Sequence, residues 1–182
     1  KSQPKEMVPI VDTPVIQYVV EEAVESGITD ILMIIGKGKR AIEEHFDRSL
    51  QLEESLIAKK QFDLLEQIKK ISNLANIHFI WQKEMNGLGD AIRYARDHVG
   101  KEPFAVLLGD TLISGKGAPI TKQLIDVYER YKSFCRTVYK DTCSRILLLA
   151  KILSDSFFLF NIYSFCRYST IVIYTSQGKW CF

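Results

Sequence analysis

The amino-acid sequence predicts an α/β protein whose sheet is mostly parallel and covered by helices on both faces. Its 182 residues suffice for one domain with a hydrophobic core. The segment DILMIIG at 30–36 is a continuous apolar run, which is typical of a strand buried on both faces. Such runs alternate with amphipathic helical segments, and this alternation favours a parallel sheet between two helical layers.

The first predicted helix begins at Thr13-Pro14. Thr13 suits the N-cap and Pro14 suits the first helical position. Apolar residues then recur at helical spacing until Gly27, a residue type that commonly ends helices. The buried strand 30–36 follows directly.

The later segments continue the alternation of helices and strands. We interpret the charged stretch 49–72, which contains neither glycine nor proline, as a solvated helical hairpin over the edge of the sheet. The remaining predicted elements are, in order, a helix at 39–46, a strand at 77–82, a helix at 88–99, a strand at 103–110 and a helix at 120–131.

Composition changes abruptly after residue 131. Residues 1–131 carry 17 basic and 20 acidic side chains, whereas residues 132–182 carry 7 basic and 2 acidic ones. The second segment also holds all four cysteines and contains no glutamate, no proline and one glycine. We therefore predict a domain at 1–131 and an atypical tail at 132–182, either a frame-shifted or misjoined segment or an unusual terminal extension.

Bulk properties exclude several function classes. The net charge of +2 does not favour nucleic-acid binding. The cysteines match no zinc-binding spacing. The stretch 146–166 is apolar enough to suggest a membrane-spanning helix. Lys151 and Asp155 interrupt it, however, and placing charged side chains inside a bilayer has a high free-energy cost. We expect a cytoplasmic protein without a signal peptide.

The stretch WQKEMNGLGDA at 81–91 places two glycines between a strand and a helix. This context suits a dinucleotide-binding loop, but the third glycine and the later acidic partner of that motif are missing. A second use fits better: the Gln82 amide and the close backbone approach that Gly87 permits suit recognition of a nucleobase edge. Gln82 also fits a strand-end residue that bonds only to backbone.

Asp110 directly follows a buried strand in the sequence LLGD, where ligands of parallel sheets bind. A single carboxylate together with substrate phosphates commonly holds Mg²⁺. The alternative is a cap for the segment that follows. The basic cluster GKGKR at 36–40 either attracts phosphate or forms a solvated loop.

Several blocks together resemble a known family. They occur in the family's order and cover about residues 3–131; they read PKEMVPIVDTPVIQYVVEEAVESGI, IIGKGKRAIEEHFD, ISNLANIHFIWQKEMNGLGDAI and EPFAVLLGD. The chain resembles the bacterial and archaeal UTP–glucose-1-phosphate uridylyltransferases, within the sugar-nucleotidyltransferase superfamily. The resemblance implies part of a Rossmann-like nucleotidyltransferase fold.

The resemblance also implies roles for five residues. Gln82 and Gly87 would contact uracil, and Gly109 would lie close to the sugar nucleotide. Asp110 would bind Mg²⁺. Lys5 would approach the phosphates as a catalytic residue.

The implied reaction makes UDP-glucose and pyrophosphate from UTP and glucose 1-phosphate with Mg²⁺. The partners of the chain would be those two substrates. The sequence leaves open whether the chain forms a homo-oligomer. Alternatives are a non-catalytic nucleotide-binding or oligomerisation module, a membrane-tethered protein, and a relative that prefers thymidine nucleotides.

The chain departs from the family pattern in places. The pattern has a glycine-rich phosphate loop and a first strand upstream of Pro4, and the 182 residues contain neither. We expect the missing central strand to leave an open sheet edge and an aggregation risk. No second metal carboxylate or glucose pocket is identifiable in the tail. Asp90 stands where histidine is common, and Thr111 where another acid is common.

Overall fold

The architecture is taken from a computed structural model, which describes residues 3–84, 86–100, 102–113, 117–131, 135–136, 148–150 and 171–175. A 3-10 turn covers Lys5–Met7. The helices are α1 Val15–Glu25, α2 Arg40–Phe46, α3 Leu50–Ala58, α4 Phe62–Ser72, α5 Leu88–Tyr94, α6 Arg96–Val99 and α7 Ile120–Tyr131. The strands are β1 Pro9–Ile10, β2 Thr13–Pro14, β3 Asp30–Ile35, β4 Asn76–Trp81, β5 Phe104–Leu108, β6 Cys135–Arg136, β7 Leu148–Ala150 and β8 Ile171–Thr175.

Six of the described strands form one sheet in the order β4-β3-β8-β5-β7-β6. Strands β3 and β4 pair in parallel, and β8 pairs antiparallel with both β3 and β5. Strands β3, β4 and β5 therefore run in the same direction, as the sequence predicts. The antiparallel pairs in this sheet all involve β6, β7 or β8, the strands that come from the tail.

Helices cover both faces of this sheet, which confirms the predicted α/β class with its two helical layers. Alternate residues of β3 and β5 point to opposite faces, as the strand repeat of two requires. One face packs Ile31, Met33 and Leu107 against α1, α2 and α7. The other packs Leu32 and Val106 against α5 and α6. All six residues of β3 are buried, so the prediction from its apolar run is confirmed.

The start of α1 differs from the prediction. Thr13 makes no capping hydrogen bond, because Thr13-Pro14 pairs as β2 with Pro9-Ile10 in a small antiparallel hairpin. The helix begins one residue later, at Val15, whose N–H donates to the carbonyl of Val8 (3.1 Å). The tight hairpin thus replaces the predicted side-chain cap. The end of α1 is as predicted, since Gly27 follows it with φ of 89°.

The predicted helical hairpin is present, and one other predicted helix is divided. The charged hairpin consists of α3 and α4, which meet near Lys60, a non-glycine residue with φ of 57°. None of the residues of α4 is buried, in agreement with a solvated segment. The predicted helix 88–99 breaks at Ala95 into α5 and α6.

The expectation of an open edge beside a missing central strand is wrong. Strand β8 lies between β3 and β5, where Ile173 pairs with Leu32 on one side and with Val106 on the other. Strand pairing depends mainly on backbone N–H and C=O groups, so a segment of foreign composition can occupy this position. The boundary between 131 and 132 stays a prediction, although described strands from both sides share one sheet.

Within the described ranges, the structure has no helix that is both long and apolar enough to cross a membrane. Most of the segment 146–166 lies outside those ranges; the described part is β7.

Candidate functional site

The parallel strands bring three chain segments to one edge of the sheet. Ile35 at the end of β3 is level with Trp81 at the end of β4. Ile34 and Leu108 both pair with Ile171 of β8, so β5 ends at the same level. The loops that follow β3, β4 and β5 therefore all leave from this edge, where ligands of parallel sheets bind.

Lys5 and Asp110 meet at this edge. The Lys5 Nζ lies 2.5 Å from Asp110 Oδ2, although the residues are 105 positions apart in the chain. The Lys5 side chain is 47% exposed and that of Asp110 is 22% exposed. An ion pair this accessible to water contributes at most about 1 kcal/mol to stability. The two charges are thus accessible to a ligand and do little to hold the fold together.

A buried ion pair lies next to this contact. Glu6 follows Lys5 in the 3-10 turn, and its fully buried carboxylate lies 2.5 Å from Lys39 Nζ. Lys39 belongs to the basic cluster after β3, for which the sequence predicts either phosphate attraction or solvation. Neither alternative describes this lysine, because its side chain is only 11% exposed and its ammonium contacts Glu6. Sequence reasoning missed this pair; an acid beside the predicted Lys5 was the only available signal.

Gln82 follows the last residue of β4, where its N–H donates to the carbonyl of Ile35 (2.9 Å). Its side-chain amide donates to Asp90 Oδ2 on α5 (3.1 Å). The alternative from the sequence was that the Gln82 side chain bonds only to backbone. The hydrogen bond to Asp90 does not agree with that alternative. Lys83 N–H donates to the hydroxyl of Tyr94, also on α5 (3.3 Å). The first two residues of the loop are thus held by one helix.

Gly87 precedes α5 with φ of 95° and ψ of −178°, a conformation essentially restricted to glycine. A Cβ at this position would meet no atom within 4 Å, so open space remains beside the backbone. Gly109 is buried between β5 and Asp110. A turn follows it, in which Thr111 N–H donates to the carbonyl of Leu108 (3.1 Å).

We expect Gly87→Ala to lower the free energy of unfolding by about 1–3 kcal/mol, because alanine is strained in this conformation. Urea denaturation measures the loss. Gly27→Ala is the matched control, since Gly27 also has a positive φ (89°) and open space around it but lies at the end of α1. Both variants should lose stability, and only Gly87→Ala should weaken the nucleobase recognition that the sequence predicts for this loop. Equal affinities in the two variants would contradict a role for Gly87 in binding.

The donor set at this edge suits a metal ion only in combination with a ligand. The described residues contain no group of three or more His, Cys, Asp or Glu side chains arranged to hold an ion. Asp110 offers one carboxylate. Mg²⁺ is commonly bound in this way, by one or two carboxylates with substrate phosphates completing its shell.

A cavity of about 610 Å³ opens between α1 and the segment that follows Asp110. Its lining includes Glu21, Glu22 and Glu25, and Glu22 accepts hydrogen bonds from Thr121. Three carboxylates repel a polyphosphate. We therefore place the candidate anion site at the edge with Lys5 and not in this cavity.

Comparisons with known proteins show which family the chain resembles. The family described as nucleotidyl transferase matches residues 1–144. The UTP–glucose-1-phosphate uridylyltransferase of Bacillus subtilis is 57% identical over 130 residues, which are 71% of this chain and 44% of that protein. The chain thus spans less than half the length of this relative.

Solved structures show the same likeness. A UDP-glucose pyrophosphorylase from Acinetobacter baumannii superposes with a TM-score of 0.70 at 40% identity, over 74% of this chain and 48% of its own. A UTP-bound UGPase from that organism superposes with a TM-score of 0.66 at 27% identity, over 96% of this chain and 67% of its own.

Proposed function

Because the chain belongs to the nucleotidyl transferase family, we propose that its sheet edge binds UTP and serves uridylyl transfer to glucose 1-phosphate. The products would be UDP-glucose and pyrophosphate. The relative in Bacillus subtilis is named for this reaction. The resemblance of the sequence blocks to this family, predicted from residues alone, is confirmed by these matches.

The contact between Lys5 and Asp110 carries this proposal. A cation and an anion from distant parts of the chain lie 2.5 Å apart at the edge where parallel sheets bind ligands. Lys5 offers an ammonium on a flexible side chain for phosphate oxygens. Asp110 offers an oxygen ligand for the cation that accompanies a nucleoside triphosphate.

In the proposed reaction, an oxygen of the glucose 1-phosphate phosphate attacks the α-phosphorus of UTP in line. The new P–O bond forms as the bond from the α-phosphorus to the bridging oxygen breaks, and pyrophosphate leaves with that electron pair. No covalent intermediate on the protein is required. Lys5 would hold phosphate oxygens and neutralise charge on them, and catalysis would rest on positioning and electrostatics.

Nucleotidyl transferases of this family generally use a divalent metal ion. We propose Mg²⁺, with Asp110 as the protein ligand, and Mg²⁺ would neutralise phosphate charge when bound. Gln82 and Gly87 would contact the base, and Gly109 the sugar nucleotide. Since UTP is a cytoplasmic metabolite, the proposed reaction belongs to the cytoplasm; association into a homo-oligomer stays a prediction.

Calorimetric titration of the chain with UTP in Mg²⁺ tests the proposal. We expect binding that Asp110→Asn and Gln82→Ala each weaken by about tenfold or more, equivalent to about 1.4 kcal/mol. The loss in Asp110→Asn should be large in Mg²⁺ and small without it, because the carboxylate acts through the metal ion. Lys5→Met should weaken UTP binding more than uridine binding.

Asp126→Asn is the matched control, because Asp126 is an exposed acid on α7 that pairs with Lys122. It should bind UTP like the wild type. A folded wild-type chain that binds neither UTP nor UDP-glucose would overturn the proposal. Binding of UTP without turnover of UTP and glucose 1-phosphate would identify the chain as the non-catalytic module. Stronger binding of thymidine triphosphate than of UTP would identify it as the thymidine-preferring relative.

A further inference from the structure

The hydrogen bond between Gln82 and Asp90 determines which end of the Gln82 amide faces a ligand. Gln82 Nε2 lies 3.1 Å from Asp90 Oδ2. The two ends of a glutamine amide differ in chemistry, since the nitrogen only donates and the oxygen only accepts. An ionised carboxylate only accepts. The nitrogen is therefore the end that must face Asp90, and the opposite orientation would place two acceptors against each other.

The surrounding backbone keeps these two side chains in register. Gln82 is tied to β3 through its own N–H and the Ile35 carbonyl (2.9 Å). Asp90 lies in the first turn of α5, where Ala91 N–H donates to the Gly87 carbonyl (3.1 Å). Because the helix also binds the backbone of Lys83 through Tyr94, it cannot move away from the strand end without breaking several contacts.

A Gln82 amide held in one orientation can form hydrogen bonds with some bases and not with others. One amide hydrogen of Gln82 is used by Asp90, which leaves the carbonyl oxygen and the other amide hydrogen for a ligand. Uracil and thymine present a donor at N3 beside an acceptor carbonyl, and this pair complements the remaining oxygen and hydrogen. Cytosine presents an acceptor at N3 beside an amino group, and it needs the amide reversed.

We propose that Asp90 is a positioning residue that sets base specificity by holding the Gln82 amide in the orientation that accepts from N3–H. This inference rests on the proposed function, because it requires Gln82 to contact the base. Cytosine would be rejected because a reversed Gln82 would direct its carbonyl oxygen at the Asp90 carboxylate. Both side chains are partly buried, and a polar mismatch that a bound base shields from water discriminates between related ligands.

The test compares the dissociation constants of UTP and CTP for the full chain by calorimetry in Mg²⁺. We expect the wild type to prefer UTP. Asp90→Asn keeps the shape but can donate to a reversed Gln82, so the ratio of CTP to UTP dissociation constants should fall by about tenfold or more. Asp90→Ala should also lower the ratio, because the amide is then free to turn. Asp126→Asn should leave the ratio unchanged.

The ratio separates this role from a merely structural one. If Asp90 only braced the loop, both Asp90 variants would weaken UTP and CTP by the same factor, and that result would overturn the inference. A wild type that binds UTP and CTP equally would overturn it as well while leaving nucleotide binding intact. A folded wild type that binds neither nucleotide would overturn the proposed function and this inference together. Circular dichroism shows whether each Asp90 variant is folded. If one of the two is unfolded, the CTP-to-UTP ratio of the other variant tests the inference.

Discussion

Glu6→Gln is expected to lower the free energy of unfolding by about 3–5 kcal/mol, the usual result of removing one partner from a buried ion pair. The Glu6 side chain is fully buried and that of Lys39 is 11% exposed, so the substitution leaves an ammonium in a poorly hydrated position. Glu6 also follows Lys5 in the same turn, and its loss should displace Lys5 from Asp110. Urea denaturation measures the stability change.

The double variant Glu6→Met with Lys39→Met separates lost charge from lost packing. Replacing both partners of a buried pair by apolar side chains is often neutral, so the double variant should be more stable than either single one. Glu44→Gln is the control, because Glu44 pairs with Arg40 on the surface of α2 and should lose no more than about 1 kcal/mol. Equal small losses in Glu6→Gln and Glu44→Gln would show that the Glu6 pair is not a buried one in solution.

The second large effect is expected at β8. Ile173→Pro removes a backbone N–H from a strand that is paired on both sides, and proline is not tolerated in the middle of a sheet. We expect the unfolding free energy to fall by more than about 3 kcal/mol, with loss of cooperative unfolding. Urea denaturation followed by circular dichroism provides the measurement.

Ile173→Ala is the matched control at the same position, because it shortens the side chain and keeps the N–H. The difference between the two variants therefore isolates the backbone contribution of β8. If the proline and alanine variants unfold at the same urea concentration, β8 does not complete the sheet. The tail 132–182 would then be separable from residues 1–131, as its composition suggests.

Most elements of residues 1–131 could be predicted from sequence because each has a local signal; the hairpin of β1 and β2 could not. The apolar run of β3 indicates a strand that is buried on both faces. The spacing of apolar residues in α1 indicates a helix with one buried face. Boundaries were less predictable. The start of α1 depends on the hairpin of β1 and β2, and the break between α5 and α6 at Ala95 has no glycine or proline to mark it.

The candidate site was predictable only as separate residues. Asp110 and Gln82 are recognisable in the sequence because each lies at the end of a strand, and a parallel sheet brings strand ends together. The partners of these residues could not be deduced. The sequence contains several acids near Gln82, and only the packing of α5 against the sheet selects Asp90. For Lys39 the sequence likewise predicts either phosphate attraction or a solvated loop, and only the fold brings its ammonium against Glu6.

The sequence by itself determined the order of the main helices and strands of residues 1–131, the α/β class and the family, because periodicity and motif residues are local properties of the chain. Only the tertiary structure decided that Lys5 contacts Asp110 and that β8 lies between β3 and β5. Such contacts depend on the path of the whole chain, since they join groups 63 to 145 residues apart in the sequence, and the local sequence around one group does not indicate the other.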